Sequence, residues 1–128
     1  MTEKKTWPRM QEMKEAGEKI VMITAYDYAS ATMAQNAGVD FILVGDSLGN
    51  VVQGCDNTLP VTVDEIIYHS KMVRRGAPDT CVVGDMPFGS YEVTIEEGVR
   101  NAIRMMKEGG CDGVKLEGGI ERAPLIKA

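Results

Sequence analysis

The chain has 128 residues, a formal net charge of −5, and a composition that is 44% hydrophobic and 26% charged. This length suffices for one domain with a real core, and the acidic balance argues against a nucleic-acid-binding surface, which should be basic. No apolar stretch reaches the roughly 18 residues of a membrane span. Residues 1–19 are charged and lack the apolar segment of a secretory signal.

The three cysteines, Cys55, Cys81 and Cys111, show no CxxC spacing of the kind found in redox or metal motifs. Cys81 and Cys111 border apolar runs, where a buried, reduced thiol is the common state. We therefore expect free thiols and a reducing, cytoplasmic compartment.

The first part of the chain predicts a leading helix and then alternating strands and helices. The helix over 6–17 ends at Gly17. The continuous apolar run over 19–26 is typical of a strand covered on both faces, as in parallel sheets. A second helix is predicted over 27–38, and "FILVGD" (41–46) is the second predicted strand.

The alternation continues to the end of the chain. A helix is predicted within 57–76 and a strand over 80–86. Thr94 and Glu97 form a capping-box pattern at the start of the next helix. This helix (94–110) carries an apolar stripe at Ile95, Val99, Ala102, Ile103 and Met106. A fourth strand follows over 113–119, and residues 120–128 begin a further element. The pattern predicts an α/β protein built from parallel βα units.

Three acids recur where the predicted strands end. Asp46 and Asp85 close the phrases "FILVGD" and "CVVGD", and Glu117 follows the fourth strand. The intervals of 39 and 32 residues match one βα unit of about 30 residues or more. The three carboxylates should therefore meet at the carboxyl edge of a barrel or a doubly wound sheet, where such folds build their sites.

Two interpretations of these acids are open. A single Asp at a strand end is usually a helix cap or a turn former. Three that recur at one edge would repel one another unless a cation lies between them. Oxygen ligands without His or Cys favour a hard ion such as Mg²⁺. The recurrence favours a site over three separate turns.

Lys115, Ser47 and His69 complete the candidate residues. Lys115 precedes Glu117 by two positions, so both side chains should lie on one face of the strand. A lysine in an apolar strand is costly without a charged partner, which also indicates a site. Ser47 directly follows Asp46 but has no surrounding nucleophile motif, and His69 is expected to be a structural or surface histidine.

Six segments, in order over nearly the whole chain, resemble the ketopantoate hydroxymethyltransferases of pantothenate biosynthesis. The segments are "ITAYDY" (23–28), "LVGDSLG" (43–49), "VQGCDNTLPVT" (52–62), "YHSKMVRRGAP" (68–78), "DMPFGSY" (85–91) and "VKLEGG" (114–119). The resemblance implies a TIM barrel of the phosphoenolpyruvate/pyruvate superfamily. Residues 1–128 would form the N-terminal half of its single (β/α)₈ domain, with about four βα units, truncated at the C-terminus.

The resemblance also assigns ligands. It implies Mg²⁺ held by Asp46, Asp85 and Glu117, and an α-keto acid held by Asp46, Ser47, Asp85 and Lys115. The keto and carboxylate oxygens of such an acid suit Mg²⁺, which would stabilise the enolate formed on proton loss. Lys115 would neutralise the substrate carboxylate or the developing oxyanion.

The implied reaction transfers a hydroxymethyl group from the co-substrate 5,10-methylenetetrahydrofolate to 3-methyl-2-oxobutanoate and yields 2-dehydropantoate. The general base, a glutamate in the family's second half, is expected beyond residue 128, so we expect the 128-residue chain alone to be inactive. The family forms ring-like homo-oligomers, so the full-length protein is expected to be one. We expect no nucleic-acid or membrane partner.

Two alternatives remain at this point. The first is another keto-acid enzyme of the same superfamily. The second is a receiver-type signalling domain, which is also α/β and binds Mg²⁺ at acidic strand ends. Such domains carry an acidic pair after the first strand, where this chain has only Asp27, and a separate fifth strand with a lysine. Here Lys115 shares its strand with Glu117, which disfavours the receiver alternative.

Overall fold

Four strands form one parallel sheet in which each strand pairs with the next one in the chain. The structure is a computed structural model that describes Lys4 and residues 6–128. The strands, in sheet order, are Met22–Thr24 (β1), Phe41–Val44 (β2), Cys81–Asp85 (β3) and Gly113–Lys115 (β4). All three strand pairs are parallel. This consecutive order is that of a βα barrel.

Helices connect the strands and precede the first of them. They are Trp7–Glu15 (α1), Tyr28–Asn36 (α2), Leu48–Val51 (α3), Val63–Gly76 (α4), Ile95–Lys107 (α5) and Ala123–Lys127 (α6), and a 3₁₀ turn spans Ile120–Arg122. None of the helices among the described residues is long and apolar enough to cross a membrane. The sequence pattern predicts α1, α2, α4 and α5, and for residues 120–128 it predicts only the start of a further element. It does not predict the single turn of α3, which is too short to show helical periodicity.

Side-chain caps define where the longer helices begin. Thr62 and Glu65 form a full capping box at α4, in which each side chain accepts the other residue's backbone N–H. At α5 the Glu97 N–H donates to Thr94 Oγ1. Asp27, weighed above as a possible receiver acid, is the cap of α2 and accepts the Ser30 N–H at 2.7 Å.

The main core lies between the sheet and helices α2 and α4. Ile42, Val44 and Val82 from the inner strands pack with Ile66 and Val73 from α4, and all five side chains are completely buried. The apolar positions of α4 therefore face the sheet, as the sequence predicts. Their burial from water is the main force that holds the helices on the strands.

The opposite face of the sheet is covered by α1. Met10 and Met13 pack against Phe41, Cys81 and Val83. The Trp7 and Phe41 rings lie 5.2 Å apart. Cys81, and Cys111 on the helix side, are buried and form no disulfide with another described residue, which confirms the expectation of buried, reduced thiols at these two positions.

Asp112 joins several elements at the amino ends of the strands. Its Oδ2 atom accepts the Val82 N–H at 2.9 Å and pairs with Arg74, and its Oδ1 atom pairs with Lys4 at 2.6 Å. The Trp7 indole donates to its carbonyl at 3.1 Å. Burial raises the pKa of the Asp112 carboxyl, but these donors outweigh burial and hold the pKa below its usual value. Asp112 thereby ties α1 and α4 to the strands.

The first strand differs from its prediction. It is shorter than 19–26, and its residues are exposed rather than covered on both faces: Val21, Met22 and Ile23 are 53%, 48% and 48% exposed. The cause is position, because β1 is an edge strand whose only neighbour in the sheet is β2. The apolar run indicates burial but does not say against which element.

The apolar stripe predicted for α5 is only partly buried, with Ala102 packed against the main core. Gly98 and Met105 are the buried residues of this helix, whereas Ile95, Ile103 and Met106 are 42%, 51% and 47% exposed. Ile103 and Met106 line an apolar cavity of about 280 Å³ together with Leu125 and Ile126 of α6.

Candidate active site at the carboxyl ends of the strands

The predicted site residues lie at one edge of the sheet. Asp85 and Lys115 are the last residues of β3 and β4 and are partners in the strand register. Asp46 follows the end of β2 by two residues, and Glu117 follows the end of β4 by two. Successive parallel strands therefore end on these side chains, as their spacing predicts.

Lys115 connects two of the acids. Its Nζ atom lies 2.8 Å from Asp85 Oδ1 and 2.5 Å from Glu117 Oε1. The expectation that this lysine shares a face with Glu117 and turns toward the acids is confirmed. Burial lowers the pKa of the Lys115 amine, but Asp85 and Glu117 more than compensate and raise it. The lysine is therefore a fixed positive charge at this edge.

Asp85 is the buried acid of the site, with 4% of its surface exposed. Its Oδ2 atom accepts the Asp46 N–H at 3.2 Å. Its Oδ1 atom is in contact with Lys115 but has no aligned hydrogen-bond donor among the described residues. Desolvation raises the pKa of Asp85 despite the opposing effects of Lys115 and the Asp46 N–H. Lys115 and the Asp46 N–H therefore offset only part of the cost of burying this carboxylate.

Glu117 is the exposed acid. Its side chain is 74% exposed, and the hydrogen bond from Lys115 lowers its pKa. Its backbone is held in place by Tyr91, whose hydroxyl accepts the Glu117 N–H at 3.0 Å. Tyr91 thus positions the segment after β4 without involving the carboxylate.

Ser47 is held by a tyrosine from the end of β1. Its Oγ atom lies 2.8 Å from the Tyr26 hydroxyl. His69 on α4 lies 2.7 Å from the Tyr26 carbonyl oxygen through Nδ1, which confirms its structural role. A Cβ atom at Gly45 would lie 2.8 Å from Ser47 Oγ, so glycine at position 45 leaves room for this hydroxyl.

A cavity of about 450 Å³ opens at the same edge. Asp46, Glu117 and Arg122 contribute to its wall, and so do the exposed side chains of Leu59 and Phe88. Its volume is within the range of small-ligand sites. A second cavity of about 390 Å³ shares Leu59 and Phe88 but none of the predicted site residues.

Comparison with known proteins identifies the family. The family model for ketopantoate hydroxymethyltransferase matches residues 4–128. The chain belongs to the ketopantoate hydroxymethyltransferase family.

Curated relatives in this family are 3-methyl-2-oxobutanoate hydroxymethyltransferases. One from Heliobacterium modesticaldum is 55% identical over 128 residues, all of this chain and 46% of the relative. One from Geobacillus kaustophilus is 60% identical over 116 residues, which are 91% of this chain and 42% of the relative. The chain thus spans less than half the length of the curated relatives it matches. Membership in this family also excludes the receiver alternative.

Solved structures show the same fold at low sequence identity. A phosphoenolpyruvate phosphomutase from Streptomyces platensis subsp. rosaceus superposes with a TM-score of 0.65 at 17% identity, over 82% of this chain and 35% of that one. A 2,3-dimethylmalate lyase, described as a PEP mutase/isocitrate lyase superfamily member, superposes with a TM-score of 0.63 at 19% identity, over 89% of this chain and 40% of that one. The sheet and helices of this chain therefore share the fold of part of these proteins, in agreement with the parallel βα units that the sequence predicts.

The three acids are not gathered around one point. Among Lys4 and residues 6–128, no group of three or more His, Cys, Asp or Glu side chains is arranged to hold a metal ion. The Lys115 ammonium occupies the space between Asp85 and Glu117. The magnesium site of Asp46, Asp85 and Glu117 stays a prediction for this family member. The buried Oδ1 atom of Asp85, which contacts Lys115 but has no aligned hydrogen-bond donor among the described residues, and the all-oxygen donor set fit a hard divalent cation.

Three residues of the site could not be found from the sequence pattern. Tyr91 and Arg122 lie in a loop and a 3₁₀ turn, outside any periodic pattern, and Tyr26 ends the apolar run over 19–26, which does not reveal its contact. Tyr26 and Tyr91 fall within segments that resemble the ketopantoate hydroxymethyltransferases, but only the fold reveals their contacts to Ser47 and Glu117. Arg122 lies outside those segments.

Proposed function

We propose that this chain is part of an enzyme that transfers a hydroxymethyl group from 5,10-methylenetetrahydrofolate to 3-methyl-2-oxobutanoate and so forms 2-dehydropantoate. The names of the curated relatives support this reaction. The observation that carries the proposal is the Lys115 ammonium, held between Asp85 and Glu117 beside a cavity of about 450 Å³. A fixed cation of this kind suits a small carboxylate substrate.

Each polar group at the edge has a role in this reaction. Lys115 binds the keto-acid carboxylate or the oxygen on which negative charge develops when the α-proton leaves. Ser47, oriented by the Tyr26 hydroxyl at 2.8 Å, donates a hydrogen bond to the substrate. The Asp46 backbone N–H and Lys115 hold the Asp85 carboxylate in place.

Magnesium belongs to the same proposal. Asp46, Asp85 and Glu117 would hold it, because all three provide the oxygen ligands that this ion prefers. Bound there, it supplies Lewis-acid polarisation of the keto group. Asp85 and Glu117, the two carboxylate partners of Lys115, both belong to this proposed ligand set, so Lys115 would share them with the ion.

Two further parts of the reaction lie outside the described site. The general base is expected in the portion of the relatives that this chain does not match, and the working enzyme is proposed to be a homo-oligomer. We therefore expect the 128-residue chain alone to bind the keto acid and Mg²⁺ without measurable turnover. Loss of general acid–base assistance alone lowers a rate by about 10²–10⁴-fold.

Calorimetric titration of the chain with 3-methyl-2-oxobutanoate, with and without Mg²⁺, tests the binding part. We expect Mg²⁺-dependent binding that Lys115→Met weakens by about tenfold, the usual effect of one charge-assisted hydrogen bond. Lys71→Met, which removes an exposed lysine from α4, is the matched control. Equal affinities of the Lys115 and Lys71 variants would contradict the role of Lys115.

The reaction itself is tested by complementation. Mixed with the remaining portion of the Heliobacterium modesticaldum relative, the chain should form 2-dehydropantoate, and the Asp85→Asn variant should not. Turnover by the chain alone at an ordinary enzymatic rate would place the base within residues 1–128. A complemented chain that binds the keto acid but transfers no hydroxymethyl group would favour another keto-acid reaction.

A further inference from the structure

Arg122 is a cation in the cavity wall that forms no salt bridge in the described part of the chain, although the pKa of the adjacent Glu121 is lowered by the Gly119 N–H and also by the charge of Arg122. Its guanidinium carbon lies 5.2 Å from the centre of the Tyr91 ring. Its Nε atom is buried and has no hydrogen-bond acceptor among the described residues. The neighbouring Glu121 carboxylate instead accepts the Gly119 N–H at 2.8 Å. A buried guanidinium donor without an acceptor is costly, which indicates a ligand that supplies one.

The backbone before Arg122 is shaped to place it there. Gly118 has φ +131°, which other residues rarely adopt. A Cβ atom at this position would lie 2.7 Å from Arg122 Cγ. Glycine at 118 therefore allows the arginine to fold back onto Tyr91. Because Tyr91 also accepts the Glu117 N–H, Arg122 is positioned by the same aromatic side chain as the end of β4.

The same cavity has an apolar lip. Phe88 and Leu59 line it and are 62% and 58% exposed. Exposed large apolar side chains beside a cavity are typical of ligand contact. Among the described residues, Arg122 is the only cation that lines this cavity, and the other charged lining residues, Asp46, Glu92 and Glu117, are acidic. The combination suits a ligand with a flat ring system and a separate anionic group.

We propose that this cavity holds the one-carbon donor, with its ring against Phe88 and Leu59 and its anionic tail on Arg122. This inference rests on the proposed function, in which the donor is a folate that joins a fused heterocycle to a glutamate. Arg122 and the lip select the donor, whereas Lys115 and Ser47 hold the keto acid. Arg122 is thus a specificity residue for the second substrate.

A cycle of two proteins and two ligands tests this assignment. The ligands are tetrahydrofolate and the amide of tetrahydropteroate, in which a neutral carboxamide takes the place of the glutamate. Each is titrated anaerobically into the Mg²⁺-supplemented chain by calorimetry. Removal of the glutamate should weaken binding to the unaltered chain by about tenfold, as expected for a charge-assisted pair. Arg122→Gln should weaken tetrahydrofolate equally and leave the amide within about twofold.

Three variants serve as controls. Arg75→Gln removes an exposed arginine at the end of α4 and should leave both affinities unchanged. Arg122→Lys keeps a positive charge and should retain part of the preference for the glutamate. Phe88→Ala should weaken both ligands alike, because the ring is common to them. Equal losses for both ligands in Arg122→Gln, or none for either, would overturn the assignment.

The same samples separate this inference from the proposed function. Titration with 3-methyl-2-oxobutanoate should give the same affinity for the unaltered chain and Arg122→Gln. A loss of keto-acid affinity in Arg122→Gln would assign the arginine to the keto acid and overturn the inference. Keto-acid binding without tetrahydrofolate binding would also overturn it but leave the proposed function standing. Arg122-dependent tetrahydrofolate binding without keto-acid binding would support the inference and contradict the proposed function.

Discussion

The Lys115 ammonium lies 2.8 Å from Asp85 Oδ1, across the register pair that joins the last residues of β3 and β4. The same ammonium reaches Glu117, which is on the same strand. One cation therefore neutralises a buried acid on the neighbouring strand and an exposed acid on its own.

Replacement of Lys115 should weaken the fold as well as the site. Lys115→Met keeps the length of the side chain but leaves Asp85 buried without a counter-charge. Loss of one partner from a fully buried pair costs about 3–5 kcal/mol, but Lys115 is about a third exposed, so solvent screening should reduce the loss to about 1 kcal/mol. Urea unfolding of the two proteins at neutral pH measures this difference, and an unchanged midpoint would contradict it.

The pH dependence of the free energy of unfolding should reveal the cost of burying the Asp85 carboxylate. Because burial raises the pKa of Asp85 in the folded chain, the folded state binds this proton more tightly than the unfolded state. The stabilisation that comes from this tighter proton binding is complete below pH 3.8, the ordinary pKa of an aspartate, and is lost as pH rises through the pKa of the folded state. In urea unfolding without Mg²⁺, the stability of Asp85→Asn relative to the unaltered chain should therefore increase from acid to neutral pH.

Glu117 provides the opposite case for the same experiment. The hydrogen bond from Lys115 lowers the Glu117 pKa, so its contribution is present above the unfolded value and lost as pH falls through the folded one. Glu117→Gln should therefore lose stability relative to the unaltered chain at neutral pH, and the loss should vanish in acid. The same pH trend in both variants would mean that the two acids do not differ as described.

Tyr26 should affect ligand binding through Ser47. Tyr26→Phe removes the hydroxyl that lies 2.8 Å from Ser47 Oγ. We expect a several-fold loss of keto-acid affinity and a loss of about 1 kcal/mol or less in stability, the usual value of one hydrogen bond. The double variant with Ser47→Ala should bind no worse than Ser47→Ala alone, since the tyrosine acts through the serine. Additive losses in calorimetry would show that Tyr26 acts independently.

The exposed apolar surfaces should cause the chain to self-associate. β1 is an edge strand with Ile23 48% exposed, and Ile103 on α5 is 51% exposed. Open strand edges and apolar faces recruit other chains. Sedimentation should show concentration-dependent association that Ile23→Lys and Ile103→Lys reduce. Val51→Lys also replaces an exposed apolar side chain with lysine, but on the short helix α3, and should not reduce the association. An equal effect of Val51→Lys would mean that the added positive charge, rather than the loss of these two apolar surfaces, reduces association.

The recurrence of acids at strand ends predicts the site well because a βα unit has a nearly constant length and a fixed direction. Asp85 and Lys115 could therefore be placed at one edge of the sheet from spacing alone. Local sequence patterns predict much less about which elements pack against one another. The apolar run of β1 and the stripe of α5 indicate faces suited to burial, but a sequence does not say what covers them. Tyr26 and Arg122 act through single contacts across the fold, which no periodicity encodes.

The cluster around Asp112 lies at the end of the sheet opposite Asp85 and Lys115. Lys4, Trp7, Arg74 and the Val82 N–H all converge on this one residue, and none of them belongs to the candidate site. A substitution at the carboxyl ends of the strands therefore removes none of the contacts to Asp112. This separation allows the ligand-binding residues to change during evolution at one end of the sheet while the stabilising contacts are kept at the other. Replacement of Asp112 would limit such changes, because later substitutions at the site would start from a less stable fold.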